Sequence, residues 1–335
     1  MDQMTITAII PVFNAENTLH WAVDSLLKQT RKPEEIILVD NNSSDGSLDI
    51  MTGYKEKYPN LINILTEKNP GANAARNAGI RIAKGVWIQL LDADDELMPE
   101  KLQHQTKMIS TYPDADLIIA PAKVLSGIDY TFVKTIKTNP DFFIGLINSQ
   151  MGITSSNLWR HSALTEIGNW DEIRTSSQEY FTMLEFVKKG KNIIIDTSLH
   201  TIVYEYPESV SKSKLPEREW SITRSKLIYF EKLQEFFKEN SKTSMLPKMS
   251  EKIYQNLYAY LINHGPDQEG ELKKFLNDHH QKLNPKLFVV TYLHQVYAEK
   301  VSNKKKFTKY FKFFYEAIKG LNRLYSSYQY LQSAR

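Results

Sequence analysis

The chain of 335 residues has no cysteine. This excludes a disulfide scaffold, a cysteine-ligated zinc ion, an iron–sulfur cluster and a thiol nucleophile, and it suits a reducing compartment. No run of 18 apolar residues occurs, so the sequence offers no membrane-crossing helix. The first residues, Met1-Asp2-Gln3, lack the basic and then apolar regions of a secretion signal. The expectation is a cytoplasmic protein, with peripheral attachment at the inner face of a membrane as the variant to consider. Two phosphate-binding motifs are missing as well. No GxGxxG follows the first strand-like run, and no GxxxxGK followed by Ser or Thr occurs anywhere. A dinucleotide fingerprint and a P-loop are thereby excluded, and a nucleotide would need another arrangement.

What is present is ordinary globular composition: 41% hydrophobic and 24% charged residues, which argues against long disorder. At roughly 150 residues per domain the length predicts two units, and the pattern divides them at 1–215 and 216–335. The net charge of +3, from 42 basic and 39 acidic residues, conceals a split. Residues 301–335 carry Lys304, Lys305, Lys306, Lys309, Lys312, Lys319, Arg323 and Arg335 against Glu316 alone. Without that segment 34 basic and 38 acidic residues remain, a net of −4. The positive excess is therefore local, and no nucleic-acid partner is expected. Within it, Phe307, Phe311, Phe314, Ile318 and Leu321 share one helical face opposite Lys305, Lys309, Lys312 and Lys319, a basic amphipathic helix. Such a helix either packs on the protein with a solvated lysine face or associates peripherally with an anionic membrane.

Strand and helix patterns alternate over the first 120 residues. Thr5–Val12 and Glu35–Asp40 are continuous apolar runs of the kind buried on both faces of a sheet. Leu61–Leu65, Val86–Leu91 and Leu117–Ala120 are further strands. Leu19, Ala22, Val23, Leu26 and Leu27 recur at helical spacing, with Asn14 or Asn17 as candidate caps. Gly71–Ala83 reads as a helix, and Pro99 suits a first helical position. Further on, the pattern predicts a helix at Glu179–Lys189 ended by Gly190, strands at Ile193–Ile195 and Thr201–Tyr204, and helix almost throughout from Glu217. The fold class is α/β with a mostly parallel central sheet, followed by a mainly helical C-terminal region.

In open α/β sheets, ligands bind beyond the carboxyl ends of the strands, and the polar clusters fall there. Asp40 closes the second strand, and Asp92-Ala93-Asp94-Asp95 closes the fourth. Three acids in four residues repel one another unless a cation lies between them, and hard carboxylate oxygens suit Mg²⁺ or Mn²⁺ carrying diphosphate. The plainer alternative is a solvated acidic turn.

In order, the chain runs IIPVFNAENTLHWAVDSLLKQT, EEIILVDNNSSDGS and NPGANAARNAGIRIAKGVWIQLLDADDELMPEKL. This closely resembles the family 2 glycosyltransferases over about residues 5–110. The resemblance resumes at Gly152–Gly190, where SSNLWRHSALTEIGNWDE is similar to the family's acceptor-side segment. It implies a GT-A type fold and inverting transfer of a sugar from a nucleotide-diphosphate donor, a UDP-sugar, to an acceptor hydroxyl. The implied setting is assembly of polysaccharide, glycolipid or another cell-envelope glycan. The implied partners are the nucleotide-sugar, a saccharide or lipid-linked acceptor and, as an option, further copies in a homo-oligomer.

The resemblance also implies roles. Pro11 and Phe13 would border the base, with Phe13 against its face; Asp40 would accept from a base ring N–H, and Arg76 would reach the base or diphosphate. Asp92 and Asp94 would form the family's DXD, one carboxylate on the ribose side and the other on Mn²⁺ or Mg²⁺. Asp95 can exchange with Asp94, which makes Asp94 and Asp95 the metal candidates. The plainer roles are a core Phe, a turn Asp and a surface Arg. The family's base is an Asp, usually after Glu and before an aromatic residue; here Gln178-Glu179-Tyr180 makes Glu179 the candidate, otherwise an acid in the first turn of a helix. Where relatives carry a His before a Ser-rich stretch, Tyr206 stands. The metal is then held by the DXD and diphosphate alone, the preferred option, or by Glu205 or Glu208, or metal dependence is weakened. The QxxRW motif of processive enzymes is absent. Two alternatives accompany this reading: a Mg²⁺-dependent nucleotidyltransferase, and a catalytically impaired nucleotide-sugar-binding protein of the same fold.

Overall fold

The computed structural model describes residues 4–172, 178–206, 216–250, 252, 253 and 256. The basic segment 301–335 and Glu208 lie outside the described residues. The chain divides into two compact units, Met1–Lys212 and Ser213–Arg335.

The first unit opens with β1 (Ile6–Val12), α1 (Leu19–Leu27), β2 (Glu35–Asp40), α2 (Ser47–Lys57), β3 (Ile62–Thr66), α3 (Ala72–Ile82) and β4 (Trp87–Leu90). These four strands are parallel, in the order β4-β1-β2-β3. Their sequence explains the arrangement. Every residue of β2 and β4 and all but Pro11 of β1 are buried, as strands covered on both faces must be. Ile6, Ala8, Ile10 and Val12 face α1, meeting Leu19, Ala22, Val23 and Leu26 in one core. Ile9 points the other way, under α3. There Gly79 permits the approach: a Cβ on it would lie 2.5 Å from Ile9 Cγ2. Pro11 is tolerated in this central strand because the Ile9 carbonyl takes the last bond from the β4 side, from the Leu91 N–H at 3.0 Å. Two residues on, Pro11 lies beyond that ladder and owes it no donor.

The chain continues through β5 (Asp95–Leu97), α4 (Lys101–Thr111), β6 (Leu117–Ile119), β7 (Ala122–Ser126), β8 (Phe132–Ile136), α5 (Phe142–Asn148) and a 3-10 turn at Thr154–Ser156. It then forms β9 (Leu158–Arg160), α6 (His161–Glu166), α7 (Gln178–Lys188), β10 (Ile193–Ile195) and β11 (Thr201–Glu205). The main sheet grows to seven strands, β10-β6-β9-β4-β1-β2-β3, with β9 antiparallel to both β4 and β6. A second sheet has the order β5-β11-β7-β8. In the second unit, α8 (Pro216–Glu239) buries Leu227, Phe230, Leu233 and Phe237 along one stripe. Among the described residues no helix is long and apolar enough to cross a membrane.

Three local expectations change. Neither Asn14 nor Asn17 caps α1, whose cap residue is Thr18 with no side-chain bond. Asn14 instead adopts φ +48 and accepts from the Ser44 N–H at 2.8 Å. Pro99 precedes α4 rather than beginning it; its carbonyl accepts from the Thr30 N–H at 2.9 Å. The acidic run 92–95 is not wholly a solvated turn, because Asp95 starts β5 and is buried.

The interior also holds a lysine. Lys101 in α4 is fully buried, and its ammonium donates to the Gln89 carboxamide of β4. Burial pulls its pKa from the ordinary 10.5 to about 7, against the opposing pull of Asp196. The sign of the linkage follows. Between those values the unfolded chain holds the proton and the folded chain does not, so stability rises with pH there, by up to about 1.4 kcal/mol per pH unit. Chemical denaturation at pH 7 and pH 9 should show this rise in the native sequence and a flatter dependence in Lys101→Met. Equal slopes in the two proteins would show that Lys101 does not titrate in this range.

Candidate active site

The carboxyl ends of β1, β2 and β4 lie on one side of the sheet, and the loops beyond them are tied together by side-chain bonds. Asn41, just past β2, donates its side-chain amide to the Glu67 and Asn69 carbonyls, both at 2.7 Å, and accepts from the Gly71 N–H at 2.7 Å. The loop after β1 is joined to the loop after β2: the Ala15 N–H reaches Ser47 Oγ at 2.8 Å, and Glu16 accepts from the Gly46 N–H at 2.8 Å. Asp40 is buried at the end of β2 and accepts from the Ser43 N–H at 3.2 Å. Phe13 is 63% exposed, which removes the core role and leaves a free aromatic face beside Asp40's strand end.

The acids at the end of β4 have three different environments. Asp92 is 36% exposed at its side chain and is gripped by Arg76 of α3, Nη2 to Oδ1 at 2.6 Å. Arg76 itself is buried. Its Nη1 donates to Asn73 at 3.0 Å and to Gln178 at 2.9 Å, and its guanidinium lies 5.2 Å from the Trp170 ring centroid. It is not the surface arginine that helical spacing allowed. Asp94 has an accessible surface, yet desolvation by the surrounding protein and the charge of Asp92 push its pKa up to about 6. Asp95 is buried, and burial, then Asp92 and Asp94, hold its carboxyl well above the usual range. The acids that sequence leaves interchangeable are thus separated by environment: Asp94 is open, and Asp95 is enclosed.

Ser155 does the enclosing, and nothing in the sequence pattern singles it out. Its hydroxyl donates to Asp95 Oδ2 at 2.5 Å and accepts from the Asp92 N–H at 3.1 Å. It arrives there because β9 lies antiparallel on β4, Leu158 opposite Gln89, so the residues before β9 run alongside those after β4. Gln89 locks the register by donating to the Ser155 carbonyl at 2.9 Å. The signal that could have found Ser155 is the Thr154-Ser155-Ser156-Asn157 cluster before a short apolar strand.

Glu179 stands in the first turn of α7, and its neighbour Gln178 is held by Arg76. Burial raises the Glu179 pKa; Arg76 opposes that rise and Asp92 adds to it, so both charges act on the same carboxyl. The segment before α7 is anchored on α3. Asn73 donates to the Asp171 carbonyl at 2.7 Å, and Asn77 donates to the Trp170 carbonyl and to Glu172, both at 2.8 Å. Burial raises the Tyr206 phenol, and the nearby Tyr130 and Asp94 add to the rise. Glu205 pairs with Lys134 at 3.3 Å.

Among the described residues no three His, Asp or Glu side chains gather into a ready-made metal cage. The donor set fits a different kind of site. A hard cation bound by one or two carboxylates, taking its other oxygens from water and diphosphate, is matched by the open Asp94 beside Asp92.

The sequence and the fold are similar to those of known proteins. Residues 7–167 match the sequence model of Glycosyl transferase family 2. The chain is 33% identical over 221 residues to a poly(ribitol-phosphate) beta-glucosyltransferase of Bacillus spizizenii, a match covering 64% of this chain and 34% of that protein. It therefore spans about a third of that relative's length. Among solved structures, S. aureus TarS 1–349 in complex with UDP-GlcNAc aligns with a TM-score of 0.56 at 17% identity, over 78% of this chain and 82% of that one. The mannosyltransferase PcManGT from Pyrobaculum calidifontis, in complex with GDP-Man and Mn²⁺, aligns at 0.50 and 15% identity, over 95% and 86%. At these identities the likeness to both structures is one of fold, the GT-A type with a mostly parallel sheet.

The hydroxyl of Ser155 has a measurable role. Ser155→Ala leaves a buried carboxyl and a strand-end N–H without their partner, which costs about 1–3 kcal/mol. Urea denaturation should register that loss, and Ser155→Thr, which keeps the hydroxyl, should recover part of it. Unaltered stability in the alanine variant would mean that the bridge carries no energy.

Proposed function

Because the chain belongs to glycosyl transferase family 2 through residues 7–167, we propose that it is an inverting glycosyltransferase. It moves a sugar from a nucleotide-diphosphate donor, with UDP as the nucleotide, to a hydroxyl of a cell-envelope glycan. The observation that carries this reading is one juxtaposition at the end of β4: Asp92 fixed by Arg76, Asp94 open beside it, and Glu179 within the field of both Arg76 and Asp92. The fold shared with structures holding UDP-GlcNAc and GDP-Man supports the donor class. The relative named for poly(ribitol-phosphate) supports a glycan acceptor.

In this reading Phe13 offers its exposed face to the base, next to Pro11 and Asp40. Arg76 commits Nη2 to Asp92 and Nη1 to Asn73 and Gln178. It positions Asp92. Asp94, with Asp92 next to it, is the side that would hold Mg²⁺ or Mn²⁺, whose charge would offset that of the departing diphosphate. Asp95 stays inside as support. Glu179 takes the acceptor's proton while the acceptor oxygen bonds to the anomeric carbon and the bond from that carbon to the diphosphate breaks on the opposite face. The raised pKa makes Glu179 a stronger base than a solvated carboxylate, which suits it to proton removal near neutral pH.

Release of nucleoside diphosphate from a panel of sugar donors, with Mn²⁺ and with chelator, tests the reading. Asp94→Ala should lose donor turnover by about a hundredfold or more; full retained activity would remove Asp94 from the site. Glu179→Gln should lower transfer by about 10²- to 10⁴-fold while donor binding survives. Loss of binding together with transfer would instead assign Glu179 a structural role.

A further inference from the structure

Beside the carboxylates lies a feature that the transfer chemistry above does not use. β11 runs antiparallel to β5 with Val203 opposite Asp95, so residues 204–206 travel back alongside Asp94. β7 pairs in parallel with β11, Tyr204 opposite Leu125 and Glu205 opposite Ser126, which carries the turn between β7 and β8 to the same end. That turn presses on the end of β11. The Gly127 N–H donates to the Glu205 carbonyl at 3.0 Å, and a Cβ on Gly127 would lie 2.3 Å from the Tyr206 ring. Only glycine leaves the ring its place.

The result is a row of aromatic rings at this end of the second sheet. Trp21 of α1 meets Tyr204 with 5.0 Å between ring centroids, and Tyr204 meets Tyr130 edge to face at 5.9 Å. Tyr204 is the fixed member, buried, with its hydroxyl donating to Glu96 at 2.7 Å. Tyr130 is the open one, 57% exposed, between Ile128 at 71% and Phe132 at 60%. Its backbone sits at φ +58, a left-handed conformation that costs a bulky residue about 1–2 kcal/mol and that Gly or Asn adopts readily. The turn itself needs only the Tyr130 N–H, which bonds to the Ser126 carbonyl at 3.0 Å. Neither the turn nor the core requires a tyrosine here. A strained, solvent-facing ring beside a reactive site is the pattern that points to a ligand.

We propose that Tyr130 and Tyr206, rimmed by Ile128 and Phe132, form the acceptor subsite, a platform on which the sugar or polyol unit bearing the attacking hydroxyl rests next to Asp94. Aromatic faces take up the C–H faces of such a unit, while phenol hydroxyls can bond to its rim. The inference rests on the transferase reading. It commits to a saccharide-class occupant because residues 204–206 run beside Asp94 and the β7–β8 turn presses on Tyr206. A second copy of the chain adding a strand at the β8 edge is the competing occupant.

The test uses the full chain with UDP-sugar donors and Mn²⁺, and with ribitol phosphate oligomers and p-nitrophenyl hexosides as acceptors. Tyr130→Ala should raise the acceptor KM roughly tenfold with kcat within about twofold, and Tyr130→Trp should restore most of it. Tyr130→Asn, which tolerates the left-handed backbone, should behave as the alanine variant does and guards against a folding artefact. An unchanged acceptor KM, or a loss confined to kcat, overturns the proposal. So does a native protein that hydrolyses donor but transfers to neither acceptor class. A lower sedimentation coefficient in Tyr130→Ala also overturns it, by making the patch a contact between copies. Absence of any donor turnover in the native protein removes the transferase reading underneath, a failure visible before any variant is compared.

Discussion

Three carboxylates at the end of one strand cannot all keep their charge without help, and much of this domain is arranged around that repulsion. Arg76 neutralises Asp92 from one side, and Ser155 receives Asp95 in the interior. Asp94 is left facing outward with its pKa elevated. Each partner comes from a different element: α3, the turn before β9, and α7 through Gln178. The cluster therefore reports on the packing of the whole sheet. A shift of β9 by one residue would turn Ser155 away and leave Asp95 buried without its bond.

The same repulsion separates what was legible in the sequence from what was not. β1 and β2 declare themselves as near-continuous apolar runs, as strands buried on both faces must be, and Asp40 marks the end of β2. α2 escapes this reading, since only Ser47 and Met51 are buried in it and its apolar spacing is weak. β5 has three residues, two of them acidic, and passes for a turn. The positions of Asp92 and Asp94 follow from local order, but the unlike environments of Asp94 and Asp95 depend on a strand far along the chain. Lys101 looks like any helix-surface lysine until α4 is laid on β4. Tyr130 is similarly hidden, because a left-handed backbone under a tyrosine has no sequence signature.

The core shows how one helix can serve two ends. α3 contributes Gly79, which lets it sit close on β1, and from the same helix Asn73, Arg76 and Asn77 reach toward the site and the segment before α7. Close packing fixes the helix axis, and the axis aims the polar face. Arg76 needs that fixation. A buried guanidinium that paired imperfectly would cost several kcal/mol instead of stabilising its carboxylate.

The antiparallel insertion of β9 has a consequence for the chain as it is made. Gln89 and Ser155 are 66 residues apart, so β4 emerges and pairs with β1 while its other edge is still open. An open edge of mostly apolar residues is a template for pairing with a neighbouring chain. Here that edge ends in three acids whose repulsion is not yet relieved by Ser155, and two such edges paired in parallel would set six carboxylates against one another. The charge gathered at the end of β4 thus disfavours side-by-side pairing of two unfinished sheets.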